Sequence, residues 1–164
     1  MNKLLKIISF VSLCCSVILI TGCVNAQTEA NTAIKNLQIN VPYTIVVPTY
    51  FPKGIRPIPS TVSDPENDPM NNALDVEIIY GNTNNKQIVL IEENYYSTLV
   101  LINPGGTFTK NGIDVTYEEV STSSATEIIH GFLFGWNNDG VNFQLRIYGY
   151  DQAEGQKVAE SMIK

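Results

Sequence analysis

Cysteine and histidine are scarce in this chain. Of its 164 residues, three are cysteine and one is histidine. Cys14 and Cys15 lie inside an apolar N-terminal run, Cys23 follows it, and no cysteine occurs after that. Residues 24–164 therefore hold no disulfide, and their stability has to come from a packed core. With His130 as the single histidine, neither a zinc-ligand set nor a Cys/His nucleophile pair can be assembled. No metal or cofactor is expected. Positive charge is also short: 10 basic residues face 16 acidic ones, a net charge of −6. That balance argues against nucleic acid as a partner, because such binding rests on Lys and Arg neutralising phosphates. It argues equally against flat docking on anionic lipid. The N-terminal apolar run covers residues 7–20, interrupted by Ser9, Ser12 and Ser16. It is shorter than the about 20 residues a spanning helix needs.

What is present at the N-terminus has three parts. Lys3 and Lys6 supply a positive start, the apolar run follows, and Thr21 and Gly22 supply small side chains before Cys23. This is the layout of a secretory signal peptide. An uncleaved anchor extended by Val24 is the competing reading. Ile20-Thr21-Gly22-Cys23 resembles the lipobox of bacterial lipoproteins. The resemblance implies cleavage between Gly22 and Cys23 and a diacylglycerol on the Cys23 sulfur. Cys14 and Cys15 are then apolar filler, removed with residues 1–22. The chain from Cys23 onward has 142 residues, 8 basic and 16 acidic, and a net charge of −8. One acyl chain binds a bilayer only marginally and stable anchoring takes two signals; the diacylglyceryl group meets that requirement. The expected location is the extracytoplasmic face of the cell membrane. Val24 follows the cysteine where an aspartate would resemble an inner-membrane retention signal, so the outer membrane stays open in a two-membrane bacterium.

Residues 23–38 read as a lipidated flexible tether, small and polar, although Ala33 to Leu37 can form a helical turn. A coil of this length holds a domain on the order of 20 Å from the bilayer. Residues 39–164 read as a single domain of ordinary size. Val41 to Pro48 is extended, since each proline biases its predecessor to β or polyproline geometry. Pro48 to Gly54 is a tight turn carrying Tyr50 and Phe51. Residues 56–72, with four prolines, read as a loop or an irregular edge.

Strand signals follow. Leu74 to Tyr80 and Gln87 to Glu92 form a hairpin with a long loop, and Thr98 to Ile102 is another apolar run. Asn111-Gly112 is a two-residue hairpin signal between Thr107–Lys110 and Ile113–Glu118. Asn137 to Gly140 joins Glu127–Trp136 to Val141–Tyr150. Phe143, Leu145 and Ile147 alternate with polar residues, which means one buried face and one facing water. The chain ends in a helix: Asp151 can cap it, and Glu154 stands where a capping box places its acid. Ala153, Val158, Ala159, Met162 and Ile163 gather on one side. Gly155 weakens it by roughly 1 kcal/mol relative to alanine. The expected fold is α+β, an antiparallel β-meander of about six strands with the C-terminal helix packed on one face.

The segment Val47-Pro48-Thr49-Tyr50-Phe51-Pro52-Lys53-Gly54 resembles the opening motif of a bacterial domain-of-unknown-function family. That family recurs in lipoproteins, sporulation proteins and the extracytoplasmic parts of anti-sigma factors. Ile79-Tyr80 with Ile88 to Glu93 resembles its central hairpin, with Glu92 where the family often has glutamine. Gly135 to Phe143 resembles its tryptophan hairpin, and Val158 to Ile163 its terminal helix. The resemblance implies a fold and a compartment and carries no catalytic residues.

Candidate sites are few. Asp64-Pro65-Glu66-Asn67-Asp68-Pro69 clusters three acids but lacks the glycine and the distant bidentate glutamate of a calcium loop, so a solvated acidic loop is expected. His130 is expected to be a satisfied structural residue. Glu92 with Glu93, and Glu118 with Glu119, are neighbours on strands and point to opposite faces. Exposed aromatics are enriched at recognition surfaces, which singles out Tyr148, Tyr150, Tyr95 and Tyr96 against the competing reading that they are simply packed. The first functional reading is a membrane-anchored, non-enzymatic domain that binds or senses an envelope protein or wall component. The alternative is a hydrolase of wall polysaccharide or peptide. It would use carboxylates from separate strands, one with a raised pKa.

Overall fold

A computed structural model of the chain describes residues 32–63, 66–68, 73–81, 86–93, 101, 103–123 and 127–164. The signal segment, Cys23, Tyr95, Tyr96, half of the acidic loop and most of the 98–102 run lie outside the described residues; Glu66–Asp68 of that loop are described and form an edge strand.

A first helix, α1, runs through residues 32–40. Among the described residues eight strands follow: β1 (Thr61–Val62), β2 (Glu66–Asp68), β3 (Ala73–Gly81), β4 (Gln87–Glu93), β5 (Gly106–Lys110), β6 (Ile113–Ser123), β7 (Ile128–Asn138) and β8 (Val141–Tyr148). Helix α2 (Gln152–Met162) closes the described chain. Every pairing is antiparallel.

The expected antiparallel sheet and C-terminal helix are present, with two more strands than expected and an order that is not a simple meander. The order is β1-β3-β4-β8-β7-β6-β5, with β2 beside β1 on the outer edge of β3. Strands β5 to β8 do meander. However, β8 also pairs with β4, from Gln87↔Tyr148 to Glu93↔Asn142, so the β3–β4 hairpin is stitched to the middle of the sheet. Strand β8 can serve as that seam because its apolar set, Val141, Phe143, Leu145 and Ile147, is buried at every second residue.

The turns follow local chemistry. Asn111 and Gly112 have φ of 50° and 82°, and Asp139 and Gly140 have 53° and 80°. Those are the positive values that two-residue hairpins with the right strand twist require.

One sheet face carries the core. Val76, Ile78 and Tyr80 of β3, Ile88 and Leu90 of β4, the β8 set, and Phe134 and Trp136 of β7 are all buried on it. Trp136 and Phe143, directly opposite across β7 and β8, stack at 5.1 Å with 4° between their planes. Helix α2 covers the β7–β8 side. Its glycine is there for proximity: a Cβ at Gly155 would fall 2.7 Å from Cζ of Phe134 and 2.8 Å from Cγ2 of Ile147. The weak helix former is thus what allows the helix to touch the sheet. Asp151 caps α2, its carboxylate accepting from Glu154 N–H at 2.9 Å. The Glu154 carboxylate is engaged by Tyr50 and Lys157.

The helix alone does not close that face. Leu37 of α1, together with Val41, Ile45 and Ile55, is buried in the same core cluster. The boundary expected between residues 38 and 39 therefore falls inside a helix, and residues 32–38 include core. Residues 41–50 form no strand; they run as a strap over the β3–β4 side. Phe51 meets Tyr80 edge-on at 4.9 Å. The following turn is tied to α2: Thr49 donates its N–H to Ser161 Oγ at 3.2 Å and its hydroxyl to Ser161 O at 3.1 Å.

Candidate functional site

Strand alternation puts Glu92 in phase with Ile88 and Leu90, on the apolar face of β4. It is completely buried, 0% exposed. Its strand partners are Val76 on β3 and Phe143 on β8. The strap meets it from above. Val46 N–H donates to Glu92 Oε1 at 2.8 Å, and the Tyr43 hydroxyl donates to the Glu92 main-chain oxygen at 2.9 Å. Gln38 braces that geometry, donating Nε2–H to Tyr43 O at 2.6 Å and accepting from Ile45 N–H at 2.8 Å. Glu92 Oε2 is buried with no hydrogen-bond partner.

Burial makes the charged form of a carboxyl costly. It raises the Glu92 pKa to about 8, against the opposing pull of the Val46 N–H. Neither cause is a second acid. Tyr80 is raised well above the usual phenol range by burial and then by the Glu92 charge. The sequence marks Glu92 as half of an adjacent pair and as the place where the resembled family often has glutamine, with no role attached to it. The i, i+2 phase with Ile88 and Leu90 was the signal that it lies on the core face.

The aromatic candidates are separated. Tyr148 is half-buried on the outer sheet face, paired with Gln87 and Gly131. Its ring lies against Gly131, where an added Cβ would come within 2.9 Å of Cδ1. Gly149, with φ of 74°, redirects the chain between the two tyrosines. Tyr150 packs at the margin of the core instead, and its hydroxyl donates to Lys53 O at 3.0 Å. Lys86 Nζ stands 4.4 Å over the Tyr150 ring. Burial, then Glu154 and Tyr50, raise the Tyr150 pKa.

Tyr150 lines an open cleft of about 560 Å³ at the end of the sheet where β7 begins and β8 stops. Lys86, Glu127, Ile128, His130 and Asp151 also line it. Ile128 is 66% exposed, a large apolar side chain turned to water. His130 is exposed rather than packed; its carbonyl accepts from Gly149 N–H at 2.9 Å. The β7–β8 hairpin register, with Gly131↔Tyr148, brings His130 and Tyr150 to the same end of the sheet.

Glu118, half-buried, accepts from Asn103 N–H at 3.0 Å, and Glu119 is exposed. Among the described residues, no three His, Cys, Asp or Glu side chains gather as metal ligands, and no helix is long and apolar enough to cross a membrane. Compared with family models, with curated proteins and with solved structures, the chain matches none.

Proposed function

We propose that the protein is a lipid-anchored extracytoplasmic binding domain, held to the bilayer through Cys23 and engaging an envelope protein or wall component at the Tyr150 cleft. The observation that carries the binding reading is the cleft itself. Its volume lies within the range of small-ligand sites. It combines a cation over an aromatic ring, two carboxylates and an exposed apolar side chain. That lining suits a segment bearing both charge signs beside an apolar group, such as a peptide.

The hydrolase reading finds one favourable feature, the raised pKa of Glu92. A glycosidase acid has to reach the scissile bond beside a second carboxyl. Glu92 is closed over by the strap, and its shift owes nothing to another acid. The binding reading accounts for the exposed groups better.

The test is recovery of partners from detergent extracts by the full-length protein and by Tyr150→Ala, Lys86→Ala and Tyr148→Ala. Loss with the first two and retention with the third is expected. Unchanged recovery with Tyr150→Ala and Lys86→Ala would remove the cleft from consideration.

A further inference from the structure

The seat of the strap on Glu92 links the N-terminal segment to the sheet through a buried ionisable side chain. We propose that α1 and residues 41–47 form a proton-controlled latch: they dock over Glu92 while its carboxyl is neutral and lift away when it ionises, with Pro48 as the hinge.

The geometry supplies each part. The docked end is held at Glu92 by two hydrogen bonds, from Val46 and Tyr43, and is braced by Gln38. The fixed end begins just past the buried Pro48, where Thr49 is bonded to Ser161, Tyr50 to Glu154 at 2.6 Å, and Lys53 to Tyr150. A lifting strap therefore parts from β4 without parting from α2. Only one of the two carboxyl oxygens has a partner, so an ionised Glu92 would keep a charge in the core with one oxygen unsolvated. Such a group escapes by reaching water.

The surroundings offer no rescue. The strap from Val41 to Val47 has no charged residue. Strand β8 sets Phe143 against Glu92, and β3 sets Val76 there and contributes Tyr80, which feels the Glu92 charge. On α1 the charged residue is the exposed Lys35. On α2, Glu154 is held by Tyr50 and Lys157, and Glu160 by Lys110 at 3.8 Å and Gln156 at 2.7 Å.

The sign is fixed by linkage. An exposed glutamate titrates near its ordinary value, and the docked one near 8. Between those values the open form holds fewer protons, so opening grows more favourable as pH rises, by about tenfold per pH unit, and levels off above about 8. The latch stands on the Glu92 geometry whatever the cleft binds. Only its effect on reach rests on the lipid reading: once lifted, residues 32–47 add a root-mean-square span of about 22 Å if fully coiled.

Native-state hydrogen exchange on the full-length chain in detergent micelles tests the latch. Exchange rates are normalised for intrinsic base catalysis. The opening constant at Val46 N–H, the amide bonded across the latch, should rise about tenfold per pH unit from about pH 5 to 8 and then plateau. Amides of β7 and β8, which open by global unfolding, should show smaller opening constants than Val46 at every pH. In Glu92→Gln the Val46 constant should be flat with pH. A flat wild-type profile, a Val46 opening constant no larger than those of β7 and β8, or the same rise in Glu92→Gln would each overturn the proposal. If Glu92→Gln does not fold, Tyr43→Phe decides: it should raise the Val46 opening constant by one factor at every pH, and no rise would show that the strap is not seated on Glu92.

Discussion

Val46 and Glu92 are joined by a 2.8 Å hydrogen bond between a main-chain N–H and a carboxyl oxygen, while the second oxygen of that carboxyl is buried without a partner. With the bond from the Tyr43 hydroxyl to the Glu92 main-chain oxygen, it fastens an N-terminal strap to β4 at a group that resists ionisation. Its neutral state is favoured because desolvation outweighs what a single N–H returns.

Stability should therefore depend on pH with a definite sign. The Glu92 pKa is raised on folding, so its contribution is fully present below the ordinary glutamate range and is lost as pH rises toward about 8. The urea midpoint of the wild type should fall between about pH 5 and 8. Glu92→Gln should lack that fall and be the more stable of the two at pH 8.5. Denaturation curves at four pH values check this.

Leu37 is 3% exposed and belongs to the core although it precedes the first strand. Leu37→Ala should cost about 2–4 kcal/mol by loss of transfer energy and creation of a cavity. A loss below about 0.5 kcal/mol in chemical denaturation would mean that α1 does not share the core.

Gly155→Ala sets helix propensity against packing. Propensity favours alanine by roughly 1 kcal/mol. The new methyl would have to displace the Phe134 ring and Ile147, and overpacking costs about 1–3 kcal/mol. A net loss of stability is expected, read by urea denaturation; stabilisation would show that α2 can ride away from the sheet.

Asp151→Ala removes the side chain that caps α2. The loss should be about 1 kcal/mol, measured as a lowered midpoint, with Asp151→Asn restoring most of it.

Cys23→Ser tests the anchor. The variant should leave the membrane fraction, and mass spectrometry of the wild type should find an acyl adduct at Cys23. Membrane retention by the serine variant, with no adduct in the wild type, would overturn the lipid placement.

Local chemistry made much of the fold legible. Asn111-Gly112 and Asp139-Gly140 announce their hairpins because the positive φ they adopt is a property of those residues. Asp151 announces the start of α2 for a similar reason. The pairing of β4 with β8 was not legible, because it joins residues 49 to 61 positions apart and any exposed strand edge can accept a partner. The Tyr150 cleft was half legible: its aromatic stood out, while Lys86, Ile128 and His130 reach it only through the sheet.

The sequence by itself determined the turns, the alternating strands, the terminal helix, the acidic balance and the want of cysteine and histidine after Cys23, since these depend on residue chemistry and near-neighbour spacing. Tertiary structure alone decided that β8 would be the seam, that Gly155 would be a contact point, and that Glu92 would lose its water. Burial of a charge is set by what the rest of the chain lays over it, and Val46, which does the covering, arrives from 46 residues upstream.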